Sequence, residues 1–222
     1  LSVPNIVDLS TFIKLGLPIG VSLLIEVSMF SVIALLLADL GEVVIASHQI
    51  TLSFTGLIFM LPLSIAMALT IRIGQHLGAN QRESARFSAK TGLFITLCVA
   101  ILASSTMAIF TTEIVSLYNP SAEILAIASQ LILIAAFFQF SDAIQITCSG
   151  VLRGYKDTVV PLLLVFISYW VIGLPSGYIL AKTSIITEAM GALGFWIGLL
   201  IGLSFGAILL LTRAIKVSRR AV

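Results

Sequence analysis

Two acidic residues stand where acids are costly. The 222-residue chain has ten Asp and Glu residues, of which eight fall in loops or near the termini, while Glu26 and Asp142 fall inside long apolar runs. Glu26 is the midpoint of Leu15–Leu37. Asp142 lies in Ile124–Ser149, about five residues, or roughly 8 Å at the helical rise, from its middle. A carboxylate at that depth in lipid costs at least about 2.5–3.5 kcal/mol on insertion scales, so each is expected to face a cavity or a partner. No run interior contains Lys or Arg, which predicts that neither acid has a basic partner within the chain. Two carboxylates on two helices suit an ion or proton site, because burial favours the protonated form and a bound cation the ionised one. Such a pair could exchange a proton for Na+ or for a cationic substrate.

Helical spacing supplies neighbours. Steps of three and four put Ser22, Met29 and Phe30 on the Glu26 side of the first run, and Phe138, Gln145 and Ser149 on the Asp142 side of the fourth, with Gln139 three residues before it. Amides and a carboxylate among aromatics are expensive against lipid and useful around a polar cavity. Each Gln taken singly serves equally well as glue between helices. Tyr169, midway along Val159–Ala181, offers an aromatic face to a cation, or simply core packing. Gly173, Pro175 and Gly177 predict a kink in that run, and Pro62 another in Val43–Ile71. Near the start of the latter, His48 is expected to be a satisfied polar residue, and the amide of Gln49 to reach a vestibule.

The elements that must carry these residues follow from composition. The chain is 59% hydrophobic and 10% charged, against about 25% charged in soluble domains. Its mean hydropathy is +1.16. Six stretches reach the about 20 apolar residues that a spanning helix needs: Leu15–Leu37, Val43–Ile71, Thr91–Phe110, Ile124–Ser149, Val159–Ala181 and Ala189–Thr212. Turn chemistry punctuates them, as in Ala38-Asp39-Leu40-Gly41 and Tyr118-Asn119-Pro120-Ser121. An all-α integral membrane bundle of six transmembrane helices in one domain over residues 1–222 is the reading. A net charge of +2 gives no phosphate-tracking surface, so nucleic-acid binding is not expected. Cys98 and Cys148 show no metal-ligand spacing and no disulfide framework. Leu1 is not a start methionine, and no cleavable signal follows it, so the chain is expected to be part of a longer protein.

Charge then assigns sides. With both termini in the cytoplasm, eleven of the twelve basic residues fall in cytoplasmic segments, and Lys182 alone falls outside. The outer loops carry Asp39, Glu42, Glu113, Glu123 and Glu188. Orientation and contact with anionic membrane lipids account for the basic loops. An intramembrane enzyme is disfavoured, since neither His-Glu-x-x-His nor Gly-x-Ser-x-Gly occurs. A scaffold has no need of mid-membrane carboxylates, and a channel would show a symmetric polar ring. Secondary transport fits best.

The residues also resemble a known family. Leu15-Gly-Leu-Pro-Ile-Gly-Val-Ser-Leu-Leu-Ile-Glu26 is similar to the opening of the seventh helix of multidrug and toxic compound extrusion (MATE) transporters. Ala46-Ser-His-Gln-Ile50 with Ile71-Arg-Ile-Gly-Gln-His-Leu-Gly-Ala79 resembles the eighth helix and its loop. Phe138-Gln-Phe-Ser-Asp142-Ala-Ile-Gln145 with Leu152-Arg-Gly-Tyr-Lys-Asp157 resembles the tenth, and Ile167-Ser-Tyr-Trp-Val-Ile-Gly-Leu-Pro-Ser-Gly-Tyr178 the eleventh. The resemblance, to the bacterial NorM-like branch, covers nearly the whole chain. It implies the C-terminal lobe of a twelve-helix antiporter in the bacterial inner membrane, without cofactor, with the N-terminal six-helix lobe as its partner. Such proteins export hydrophobic or cationic drugs in exchange for Na+ or H+. It further implies coupling-cation binding at Glu26, Asp142 and Tyr169, and a drug cavity lined by Phe30 and Gln49. Related sequences often have Tyr at Phe138, so the absent hydroxyl leaves Phe138 a cavity-lining role. A related flippase for lipid-linked sugars is the alternative, with a non-transporting membrane scaffold behind it.

Overall fold

A computed structural model describes residues 6–185 and 188–220, with side chains from residue 9 onward. Among them there are helices and no strands. The segment Leu1–Asn5, where the reading of a longer chain begins, lies outside the described residues.

Among the described residues, six helical segments are long and apolar enough to cross a membrane. The first is α1 (Ile6–Leu37), which a 3-10 turn, Ala38–Leu40, carries to Gly41. Gly41 has φ +99°, the left-handed region that glycine enters without steric cost, and so the chain reverses there. Next come α2 (Glu42–Gly78) and α3 (Arg82–Ile109), joined through Asn80 at φ +59°. A short α4 (Thr111–Ser116) leads to Asn119-Pro120 and to Ser121, whose side chain accepts from the Ile124 backbone N–H and caps α5 (Ala122–Gly154). The fifth span, Val159–Lys182, comprises α6 (Val159–Phe166), a π-helical turn over Ile167–Gly173 and α7 (Leu174–Lys182). α8 (Ala192–Arg220) completes the bundle.

The apolar runs mark the spans but not the helix ends. α2 continues seven residues past Ile71, and α3 begins nine before Thr91; α8 runs eight past Thr212 and starts at Ala192 rather than Ala189. Backbone hydrogen bonds are satisfied within a helix whether it is in lipid or water, so the helix outlasts the apolar stretch and carries Arg and Lys into water. Where the kink is expected, at Gly173–Gly177, the structure has a π turn running directly into α7, with Pro175 one residue past the start of α7, where its missing N–H interrupts the backbone ladder.

α5 is the hub, packed against α2, α3 and α8. Gly150 sits on the Ala66 backbone, where an added Cβ would meet its carbonyl at 2.5 Å, and Thr70 donates to the Gly150 carbonyl at 2.9 Å. Thr147 pairs with Thr96 at 3.0 Å, and Ser104 donates to the Ala136 carbonyl, tying α3 to α5.

A second seam is built from small residues. Gly194, Gly198, Gly202 and Gly206 recur every fourth residue on one side of α8 and mesh with Ala181, Gly177, Gly173 and Ser168 of the fifth span. The α8 steps are four, four and four; the opposing steps are four, four and five. The five-residue step crosses the π turn, whose wider ring takes up the extra residue and keeps the seam in register. At the end rich in basic residues, Arg213 Nε donates to Asp157 Oδ2 at 2.7 Å and fastens α8 to the loop after α5. α1 lies on the flank of this framework, against α6.

Candidate functional site

The two acids come together. α1, α2, α5 and the π turn enclose an open pocket of about 420 Å³. From α1 it takes Leu23, Glu26, Val27, Phe30, Ser31 and Ala34, the three-and-four spacing of one helical face. Gln49, Leu52, Thr55, Gly56 and Phe59 of α2 form the facing wall. Phe138, Gln139 and Asp142 of α5 and Tyr169 of the π turn close the back. The wall is therefore apolar and aromatic, with its polar groups gathered around the two carboxylates.

Gln145 holds that cluster. Its Nε2 donates to Glu26 Oε1 at 3.0 Å and to the Tyr169 hydroxyl oxygen at 3.2 Å. One amide thus ties α5 to both α1 and the fifth span. Tyr169 is buried, 2% exposed, and its hydroxyl, besides accepting from Gln145, is the donor that faces the Glu26 carboxylate. Asp142 puts its carboxylate in the pocket wall without a hydrogen bond to any described residue, close enough to Glu26 for the two charges to repel. Gln139 Oε1 and Gln145 Oε1 are buried without a partner. The site therefore offers several oxygens with uncommitted lone pairs and no nitrogen ligand, a donor set suited to a proton or a hard monovalent cation. Gly206 makes room for it: a Cβ there would come within 2.9 Å of Gln145 Oε1.

Aromatic rings carry the pocket wall into the core. Phe30 meets Phe138 edge-on at 6.4 Å, Phe138 meets Trp196 at 5.9 Å, and Trp196 meets His48 at 5.9 Å. Trp196 Nε1 donates to His48 Nδ1 at 3.2 Å. The expectation for His48 holds on that side only, since its Nε2 is buried without a partner.

Three sequence expectations are corrected. Met29 does not line the cavity; it is fully buried and packs behind the wall toward Gly173. At about 100° per residue Phe30 and Leu23 lie to one side of Glu26 and Met29 and Ser22 to the other. Glu26 is the seam between two faces, which the spacing alone does not resolve. Gln145 is likewise behind the wall, 1% exposed, as the connector described above rather than a lining residue. Finally, Glu26 does have a basic neighbour. It shares a small polar cavity with Arg153 at the end of α5, alongside Ser22, Ser149 and Thr158, and the guanidinium acts on its carboxylate. Arg153 lies outside the apolar run, but its long stem lets the charge reach back into the bundle. The remaining expected lining residues, Phe30, Gln49, Phe138 and Gln139, all border the pocket.

A six-helix membrane lobe with an acidic, aromatic-walled pocket is the class of protein that this arrangement defines. The MatE family model matches residues 18–179, and the chain belongs to that family. It is 47% identical over 221 residues to multidrug resistance protein MdtK of Proteus mirabilis (strain HI4320), an alignment covering 100% of this chain and 48% of that protein. The chain thus spans about half the length of the curated relatives it matches. Its fold is that of the eukaryotic MATE transporter AtDTX14, with a TM-score of 0.86 at 23% identity over 95% of this chain and 48% of that one. The Vibrio cholerae MATE transporter VcmN in its bent form is equally similar, at TM-score 0.86 and 20% identity over 98% of this chain and 48% of that chain.

Proposed function

We propose that this chain is one six-helix lobe of a secondary multidrug efflux transporter, working by antiport with Na+ or H+ rather than as an enzyme. The single observation that carries this reading is the convergence of Glu26, Asp142 and Tyr169 at the back of an open apolar pocket. The pocket takes the hydrophobic body of a drug, and the carboxylates serve either a cationic drug or the coupling ion. The partner is a second six-helix lobe across the open side. The acidic end of the bundle faces outward and the basic end, with the C-terminus, faces the cytoplasm of a bacterial inner membrane.

Antiport requires that the two ligands prefer different states, since equal affinity for both shifts nothing. Here the same carboxylates serve both. A bound cation or proton satisfies Glu26 and Asp142 and removes the charge that holds a cationic drug, so occupancy by one disfavours the other. The free oxygens of Asp142 and Gln139, both on the pocket wall, support an ion at this place. A flippase for polyprenyl-linked sugars fits less well, because no Lys or Arg borders this pocket to meet a phosphate.

The test is drug efflux by the full-length protein in proteoliposomes, with Na+ and pH gradients imposed separately. Glu26→Gln and Asp142→Asn are each expected to lower efflux by at least about tenfold, the scale of one lost charge-assisted contact. Near-normal efflux in both variants under either gradient refutes the coupling role.

A further inference from the structure

A second pair of cavities lies between α2 and α3. One, about 380 Å³, is a mainly apolar groove bordered by Ile65, Ala68, Leu69, Gly92 and Ile95; the other, about 310 Å³, is polar and bordered by His76, Glu83 and Ser84. Arg72, Phe87 and Ser88 border both, so the two form one continuous cleft. The division falls where composition changes. Arg72 directly follows the apolar run of α2, and the apolar run of α3 begins at Thr91, four residues past Phe87. One half of the cleft is thus at acyl-chain depth and the other at head-group depth.

The cleft also faces away from the central pocket. At about 100° per residue, the groove residues of α2 lie roughly 150° around the helix from its pocket residues, with the buried core face between them. α3 contributes nothing to the central pocket. A lobe closing over the pocket leaves the cleft open to the bilayer.

Its charges select a head group. Arg72 offers a planar guanidinium suited to a phosphate, and Glu83 a carboxylate suited to an ammonium; both side chains are exposed. From this complementarity we infer that the cleft seats one phospholipid with a primary-ammonium head group, its phosphate on Arg72, its ammonium on Glu83 and one acyl chain in the groove. A purely anionic lipid would set its charge against Glu83. A quaternary ammonium has no N–H to donate to that carboxylate.

Native mass spectrometry of the purified full-length protein, after incubation with equimolar phosphatidylethanolamine, phosphatidylcholine and phosphatidylglycerol, reads the preference directly. Phosphatidylethanolamine is expected to be retained about tenfold over phosphatidylcholine. Glu83→Gln should reduce it to the phosphatidylcholine level, whereas Arg72→Gln, which removes the phosphate contact common to both lipids, should lower both, and Arg72→Lys should keep part of that retention. Ala68→Trp, which fills the groove from an exposed position, should lower retention of all three lipids. Equal retention of phosphatidylcholine, displacement by phosphatidylglycerol, or an unchanged Glu83→Gln variant overturns the head-group assignment. Unchanged retention in a monodisperse Ala68→Trp variant overturns the seat itself.

Discussion

The glycine seam between α8 and the fifth span makes a prediction with a sign that chemistry alone would not give. In Gly202→Ala the new Cβ would lie 2.7 Å from Gly173 Cα and 2.9 Å from its nitrogen, both backbone atoms with no rotamer to turn aside. An ordinary carbon–carbon contact needs about 3.5–4.0 Å, so the two helices must part by roughly 1 Å. Overpacking of this kind costs about 1–3 kcal/mol, and rigid partners put it at the upper end. Alanine regains about 0.5–1 kcal/mol of helix propensity, which leaves a net loss near 2 kcal/mol. Gly74→Ala in α2 is the control: nothing lies within 4 Å of its Cβ, and so only the propensity gain applies. Thermal unfolding of the purified full-length variants should show Gly202→Ala melting several degrees below the parent and Gly74→Ala at or above it. Because Gly173 ends the π turn that carries Tyr169, Gly202→Ala should also slow efflux. If Gly202→Ala melts with the parent while retaining full efflux, the seam is not a close backbone contact and the reasoning fails.

Two further outcomes follow from the hydrogen-bond geometry. Gln145→Leu removes both donations of the amide but also removes its unpartnered Oε1, so the opposing costs of about 1–3 kcal/mol largely cancel; melting should change little while efflux falls by about tenfold, and a normal efflux rate would remove Gln145 from the site. Double-mutant cycles in thermal unfolding should give the half-buried Arg213–Asp157 pair a coupling of about 1–2 kcal/mol. The Lys182–Asp39 pair, with Asp39 79% exposed, should give less than about 0.5 kcal/mol. The opposite order would mean that exposure does not govern these pairs.

Much of this was legible in the residue string, for reasons that also set its limits. Hydropathy located six spans because lipid demands apolar side chains over a fixed thickness. It missed the ends because a helix needs no lipid to continue, as α2 and α3 show beyond Ile71 and before Thr91. Glu26 and Asp142 stood out because a buried acid is rare, and they do share one pocket. Periodicity placed Met29 beside Glu26 on the helical wheel but carried no information on which of two faces was the core. The reach of Arg153 to Glu26 depends on how α5 packs against α1, a tertiary fact. The glycine seam was there to be read: four glycines at four-residue intervals in α8 are the small-residue spacing of close helix contacts. The five-residue step opposite them was not, because a π turn has no compositional mark.

That turn amounts to slack stored in a spanning segment. Its seven residues, Ile167–Gly173, occupy fewer rungs than α geometry would allow them, while the ends of the segment are pinned by Pro161 and Val165 in the core on one side and by Gly177 against Gly198 on the other. Rewinding one residue of it into α geometry would turn everything before it by about 100° relative to everything after it. Tyr169 lies within the turn, so it is the residue such a rotation would carry away from Gln145, and with it the hydroxyl that faces the Glu26 carboxylate. With both ends pinned, the extra residue in the turn is what keeps Tyr169 on Gln145 and Ser168 on the glycine seam at once.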